Sequence, residues 1–67
     1  MTLGEKINHA MRAKGMNQRQ LAEKTYITQT TVSRYITGQR TPDANNLKDI
    51  CLALDVSADW LLGLGEK

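Results

Sequence analysis

The sequence has too few cysteines for a disulfide scaffold and too few metal-ligand residues for a zinc module. Its 67 residues include one cysteine, Cys51, and one histidine, His9, so an internal disulfide and a cysteine–histidine zinc site are both excluded. A chain this short must then be stabilised by a compact apolar core, with dimerisation as a further source of stability. We therefore predict a single domain over residues 1–67 that holds no cofactor and no metal.

Long hydrophobic runs are missing as well. No run approaches the ~20 apolar residues that cross a bilayer, and the amino terminus lacks the apolar region of a signal peptide. A lone cysteine is also consistent with a reducing compartment. These absences predict a cytoplasmic protein that makes no membrane contact.

The sequence lacks the residue sets with which enzymes work. It contains no Ser/His/Asp set, no carboxylate pair and no glycine-rich phosphate loop. His9 falls on the outward face of the first predicted helix, and Cys51 falls on the apolar stripe of the fourth, where a buried thiol is inert. We therefore expect a protein that is not an enzyme.

A strong excess of one charge is absent, because the net charge is only +2. The positions of the charges say more than their sum. A basic first part is typical of nucleic-acid binding, and equally of an ordinary solvated surface. The basic residues that precede residue 41 are Lys6, Arg12, Lys14, Arg19, Lys24, Arg34 and Arg40.

What the sequence does contain is helical periodicity. Apolar residues recur at helical spacing in five segments, and no segment alternates as a strand does. The fold class is therefore all-α, with five short helices. The predicted helices cover residues 2–14, 18–25, 29–37 and 44–54, followed by a short helix that begins after Ser57 and contains Trp60, Leu61 and Leu62.

Capping residues mark where these helices begin. Thr2 with Glu5, and Asn17 with Gln20, have the spacing of a capping box, in which two side chains satisfy each other's backbone N–H groups. Single caps are predicted for the later helices. These are Thr28, Asp43 and Ser57.

The third predicted helix has two unlike faces. Val32, Tyr35 and Ile36 fall on one arc of a helical projection. A separate arc carries only hydrogen-bonding groups and one guanidinium. Its members are Gln29, Thr30, Ser33, Arg34 and Thr37.

Two short helices joined by a tight turn over residues 18–37 have the layout of a helix-turn-helix. The strings Asn17-Gln18-x-x-Leu21-Ala22 and Ile27-Thr28-Gln29-x-Thr31-Val32-Ser33-Arg34-Tyr35 resemble the Cro/lambda-type repressor family, the XRE-like group. The resemblance continues through Gly38, Pro42, Leu47, Ile50, Leu54, Val56-Ser57 and Asp59-Trp60-Leu61-Leu62. It implies a compact five-helix, lambda-repressor-like fold that binds double-stranded DNA by placing the third helix in the major groove.

Two residues depart from the family pattern. Ile36 stands where members often carry an acidic residue, and we expect it to make an apolar contact with Met11 in place of an ion pair. The other departure is in the turn. Many members have glycine in the turn, where this chain has Tyr26. A tyrosine there must either adopt a positive φ, at a cost of ~1 kcal/mol or more, or alter the turn.

The candidate DNA contacts divide into two roles. Exposed positions near the start of the third helix are expected to read base edges, since glutamine can pair with adenine and arginine with guanine. These base-reading candidates are Gln29, Thr30, Ser33 and Arg34. Gln18 resembles the family's phosphate-clamping glutamine at a helix amino end, where an anion is favoured. The phosphate-contacting candidates are Gln18, Thr28, Thr37, Arg40 and Asn45.

One small domain buries too little surface for genomic specificity, so we expect a homodimer on a palindromic operator with half-sites about 34 Å apart. The tail over residues 57–67 is the expected dimer contact, through Leu61 and Leu64. The alternative is that Trp60 and Leu61 complete the core of the monomer.

Several functions remain open at this point. The favoured one is a sequence-specific transcriptional regulator, and most simply a repressor. A second is the DNA-binding antitoxin of a toxin–antitoxin pair, whose partner is a toxin protein. The chain is alternatively the amino-terminal domain of a longer repressor with a fused effector domain. A fold used only for protein assembly is disfavoured, because an assembly face carries apolar anchors.

Overall fold

The computed structural model describes residues 1–64. Within this range the chain forms five helices and no strand. The helices are α1 (Leu3–Ala13), α2 (Gln18–Thr25), α3 (Gln29–Thr37), α4 (Ala44–Leu54) and α5 (Ala58–Leu62). The predicted all-α class and the order of the elements are confirmed, and no helix of residues 1–64 is long and apolar enough to traverse a bilayer.

Each of the five helices starts directly after its predicted capping residue, whose side chain accepts a backbone N–H of the first turn. In α1 the backbone N–H of Thr2 donates to Glu5 Oε1 at 2.7 Å and the N–H of Glu5 donates to Thr2 Oγ1 at 3.1 Å. Asn17 and Gln20 form the same reciprocal pair at 2.9 and 2.8 Å. Thr2 itself has an extended backbone, so α1 starts one residue later than the predicted range.

A single apolar core receives side chains from all five helices. α1 packs against α3 and α5, α2 packs against α3 and α4, and α4 packs against α5. The helix-turn-helix pair is therefore held from both sides by the rest of the fold. The core consists of Ile7, Ala10, Met11, Leu21, Ala22, Val32, Tyr35, Ile50, Leu54 and Leu61.

α1 and α3 approach each other closely at Gly4. A β-carbon built on Gly4 would lie 2.6 Å from the carbonyl oxygen of Tyr35, and it would also overlap the carbonyl oxygen of Ile36. Both oxygens are backbone atoms, so neither can rotate away. Gly4 thus lets the start of α1 cross directly over the end of α3, a contact that the helical pattern of the sequence does not reveal.

The first and last helices are joined by a buried lysine. Lys6 is only 5% exposed, and its ammonium donates to the carbonyl oxygen of Trp60 at 2.8 Å. The same Nζ lies 5.6 Å from the centroid of the Trp60 ring, within cation–π range. This hydrogen bond is a second one to the Trp60 carbonyl, which also accepts from the Gly63 N–H at 3.2 Å, and it holds the short helix α5 against α1.

The expected dimer role of Leu61 is wrong for this conformation. Leu61 is 1% exposed and belongs to the core, because the docking of α5 on α1 and α4 turns its side chain inward. Leu61 instead completes the core of the monomer, which was the alternative expectation, and Trp60 is half-buried against the same core. Leu64 is 58% exposed, so its dimer contact stays a prediction, and residues 65–67 of the predicted tail lie outside the described residues.

The turn between α2 and α3 keeps its helix-turn-helix geometry despite its tyrosine. Tyr26 adopts the left-handed conformation with φ 58°, so the chain accepts the unfavourable backbone and leaves the turn unaltered. The Tyr26 side chain is 97% exposed. The strain at this position is therefore not offset by burial of the ring.

Candidate nucleic-acid interface

The polar face of α3 is open to solvent. Gln29, Thr30, Arg34 and Thr37 are exposed and Ser33 is half-buried. On the opposite side Val32 and Tyr35 are buried in the core. The two faces that the helical projection predicts are thus separated in space as expected.

The four base-reading candidates share one surface with Gln18. They line a shallow depression between the start of α2 and the length of α3. We call this depression the reading surface; its lining residues are Gln18, Gln29, Thr30, Ser33, Arg34 and Gln39. Arg34 is the only charged member, so the reading surface is a neutral hydrogen-bonding surface with one guanidinium.

None of the four predicted base-reading side chains forms a hydrogen bond or ion pair with another of residues 1–64 that would hold it in place. Their donors and acceptors are therefore available to an outside partner. Such groups are hydrogen-bonded to water in the free protein, and a partner with matching donors and acceptors can replace that water.

Gln39 is a member of the reading surface that the sequence pattern did not single out. It follows Gly38, which ends α3 with φ 83°. The backbone N–H of Gln39 donates to the Arg34 carbonyl oxygen at 2.9 Å. A glycine after Thr37 predicts that α3 ends there. The direction of the Gln39 side chain depends on the conformation of the turn, which the sequence pattern does not specify.

Two predicted phosphate contacts already use their hydroxyl protons. Thr28 Oγ1 accepts from the backbone N–H of Thr31 at 3.2 Å and donates to Thr31 Oγ1 at 2.8 Å. Thr37 Oγ1 donates to the carbonyl oxygen of Arg34 at 3.3 Å. Both threonines are exposed, so each would have to exchange an internal hydrogen bond for one to a phosphate oxygen.

The remaining phosphate candidates lie apart from the reading surface. Thr37 and Arg40 line a second depression beside the start of α1, whereas Asn45 is exposed on α4 and belongs to neither depression. Glu5 also lines the second depression. The Thr2 backbone N–H donates to the Glu5 carboxylate and lowers its pKa, so this depression holds a carboxylate as well as the Arg40 guanidinium.

A hydrogen bond between α3 and α4 fixes α3 from its buried side. Asn46 Nδ2 donates to the Tyr35 hydroxyl at 2.9 Å, and the backbone N–H of Asn46 donates to the cap residue Asp43 at 2.8 Å. Tyr35 is buried. This link ties the orientation of α3 to the first turn of α4, and only the folded arrangement reveals it.

Among the described residues no group of three or more His, Cys, Asp or Glu side chains is placed to hold a metal ion. Cys51 is a free, buried thiol, and desolvation raises its pKa. The chemistry concentrated at the surface of α3 is hydrogen bonding by neutral side chains and by the Arg34 guanidinium.

The chain matches known sequences over nearly its whole length. It is 35% identical over 66 residues to the HTH-type transcriptional regulator ImmR of Bacillus subtilis (strain 168), covering 98% of this chain and 52% of ImmR. It is 34% identical over 62 residues to the HTH-type transcriptional activator BcrR of Enterococcus faecalis, covering 92% of this chain and 30% of BcrR. The chain thus spans about half of one curated relative and about a third of the other.

Solved structures share the fold. The N-terminal DNA-binding domain of SinR from Bacillus subtilis superposes with a TM-score of 0.87 at 27% identity, over 97% of this chain and 96% of that domain. SinR in complex with DNA gives 0.85 at 28% identity, over 90% and 97%. The P22 c2 repressor bound to a synthetic operator gives 0.89 over 92% and 94%, and at 24% identity it shows the fold alone.

The family prediction is confirmed independently of these pairwise similarities. A family model described as Helix-turn-helix matches residues 7–61, a range that begins within α1 and ends within α5. The chain therefore belongs to the helix-turn-helix family, with α2 and α3 as the motif that gives the family its name.

Proposed function

We propose that this chain binds double-stranded DNA in a sequence-specific manner and regulates transcription, with α3 in the major groove. The observation that carries the proposal is the reading surface. It joins the exposed face of α3 to the amino end of α2, where free N–H groups favour a phosphate. SinR, a structural relative, has been solved in complex with DNA, which supports the same partner here.

Repression is the simplest form of this regulation. A small domain that occupies the major groove blocks access to the DNA it covers without needing a further activity. We also infer a cytoplasmic, non-enzymatic protein that works as a homodimer on a palindromic operator. The two-fold symmetry of such an operator follows from a pair of identical reading surfaces one helical turn apart, about 34 Å.

One observation favours a second form of the proposal. The curated relatives are about two and three times as long as the matched region, so this unit also fits the DNA-binding domain of a longer regulator with an effector domain. No contact among residues 1–64 favours the antitoxin alternative.

Selection of bound sequences from a random pool of duplex DNA tests the proposal directly. We expect a two-fold symmetric consensus, and binding that weakens steeply with salt as condensed counterions are released. Absence of any enriched sequence, together with no salt-sensitive association with duplex DNA, would refute it.

A single substitution tests the reading surface. Gln29→Ala should weaken binding to the selected site by about 1–3 kcal/mol and leave the melting temperature unchanged, because the Gln29 side chain is exposed. Leu52→Ala is the matched control, since Leu52 is uncharged, 71% exposed and outside the reading surface. A loss of stability without a loss of affinity in Gln29→Ala would reject Gln29 as a reading residue.

A further inference from the structure

The reading surface extends past the end of α3, and we propose that Gln39 reads a base pair there and so determines part of the DNA specificity. This inference rests on the proposed function, because it assigns a role within the same surface. It concerns a residue of the loop after α3, which neither the helical pattern nor the predicted contact residues include.

Backbone hydrogen bonds hold Gln39 on the reading surface. The left-handed conformation of Gly38, with φ 83°, turns the chain back toward α3. The N–H groups of Gln39 and Arg40 then both donate to the carbonyl oxygen of Arg34, at 2.9 and 3.2 Å. Two hydrogen bonds to one carbonyl hold this turn against the last turn of the helix, so the Gln39 side chain leaves from a fixed point.

The neighbours of Gln39 indicate bases as its partner. It shares one depression with the four predicted base-reading residues. Its own side chain is exposed and carries both a donor and an acceptor, the pair of groups with which glutamine contacts the N6 and N7 edge of adenine.

A phosphate is the alternative partner at this end of α3, and the cations Arg34 and Arg40 suit it better than the uncharged Gln39 does. The carboxyl end of a helix carries partial negative charge on its last carbonyl oxygens, and Gln39 has no charge to offset it. Phosphates are instead favoured at helix amino ends and beside cations. A neutral base edge is the partner that meets no such penalty.

Gln39 also reaches a part of the site that the start of α3 does not. Gln29 and Thr37 are the two ends of the helix, and eight residue steps at 1.5 Å span roughly 12 Å. Base pairs are stacked about 3.4 Å apart, so this length corresponds to roughly three to four of them. Gln39 is therefore expected to act on a different base pair from Gln29.

The test compares the consensus sequences selected from one random duplex pool by the wild-type chain and by Gln39→Ala. We expect Gln39→Ala to lose its preference at one symmetric pair of positions and to keep the remaining consensus. Affinity for the wild-type site should fall roughly 5- to 150-fold for each half-site, the range of one lost base contact per protomer. The melting temperature should not change, which excludes a defect in folding.

A second variant makes the test directional. Gln39→Glu leaves an acceptor only, which pairs with the N4 amino group of cytosine, so the same positions should now favour cytosine. Leu52→Glu adds the same charge on α4 outside the reading surface and serves as the control for a general loss of affinity.

The outcomes separate the two levels of the proposal. An unchanged consensus in both Gln39 variants, with or without a uniform drop in affinity, would overturn the base-reading role of Gln39 while leaving the proposed function standing. No consensus for the wild-type chain would overturn the proposed function itself.

Discussion

Replacement of Gly4 by alanine is the sharpest test of how this fold positions α3. The added β-carbon would lie 2.6 Å from the carbonyl oxygen of Tyr35 and 2.8 Å from the carbonyl carbon of Ile36. Both atoms belong to the backbone of α3, so the strain can be relieved only by moving one helix away from the other. The end of α3 must therefore shift relative to α1.

The expected cost follows from two opposing effects. Overpacking of a close contact destabilises by about 1–3 kcal/mol, and a carbon forced this close to two backbone carbonyls belongs at the upper end. Alanine is a better helix former than glycine by up to about 1 kcal/mol. We therefore expect Gly4→Ala to lower the free energy of unfolding by roughly 1–2 kcal/mol, the difference between these two terms.

Urea denaturation followed by circular dichroism measures this difference. Ala13→Gly, at an exposed position in the same helix, is the control that measures the helix-propensity term alone. Because the end of α3 moves, Gly4→Ala should also weaken binding to the selected DNA site, whereas Ala13→Gly should not. Equal or greater stability of Gly4→Ala would refute the close approach of α1 and α3.

Three further outcomes are expected. Tyr26→Gly should raise the free energy of unfolding by about 0.5–1 kcal/mol, since it relieves a positive φ at a side chain that is 97% exposed; a lower melting temperature would show that the ring contributes stability. The folded-state pKa of Glu5 is lowered from 4.5 by the Thr2 backbone N–H, so its contribution to stability is fully present above the unfolded pKa and is lost as the pH falls through the folded pKa. An acid titration of unfolding should therefore show a smaller loss for Glu5→Gln than for the wild type, and parallel curves would contradict this. The Cys51 thiol, whose pKa is raised by desolvation, should react with a thiol reagent much more slowly in the native state than in urea, and equal rates would show that the site is open.

The helices could be predicted from the sequence because their signals are local. Thr2 with Glu5, and Asn17 with Gln20, each lie three residues apart, and the structure contains both reciprocal pairs. Hydrophobic periodicity likewise needs only one or two turns to show which face of α3 is buried. These signals do not depend on how the helices pack.

The features that the sequence did not predict depend on contacts between distant segments. α5 has five residues, too few for periodicity to decide whether Leu61 or Leu62 faces the core. Its docking is set by Lys6, more than fifty positions earlier. Gly4 at the start of α1 and the Asn46 bond to Tyr35 are likewise invisible until α1, α3 and α4 meet.

The sequence predicted which residues line the candidate site better than it predicted whether each of them contacts a base or a phosphate. The four predicted base-reading residues line one depression because helical spacing places them on one side of α3, and Gln18 joins them from the start of α2. Their contacts with DNA stay predictions. The division between base and phosphate contacts depends on how the partner docks, which a protein surface alone does not contain.

Within α3, the positions that hold the helix in place and the positions that face outward are different residues. Thr28 and Thr31 begin the helix, and Val32 and Tyr35 anchor it, whereas positions 29, 30, 33 and 34 take no part in either task. Exchange of these side chains therefore removes neither a cap nor a core contact of α3. The proposed DNA specificity can thus be altered at these four positions while the caps and the core that form α3 stay as they are.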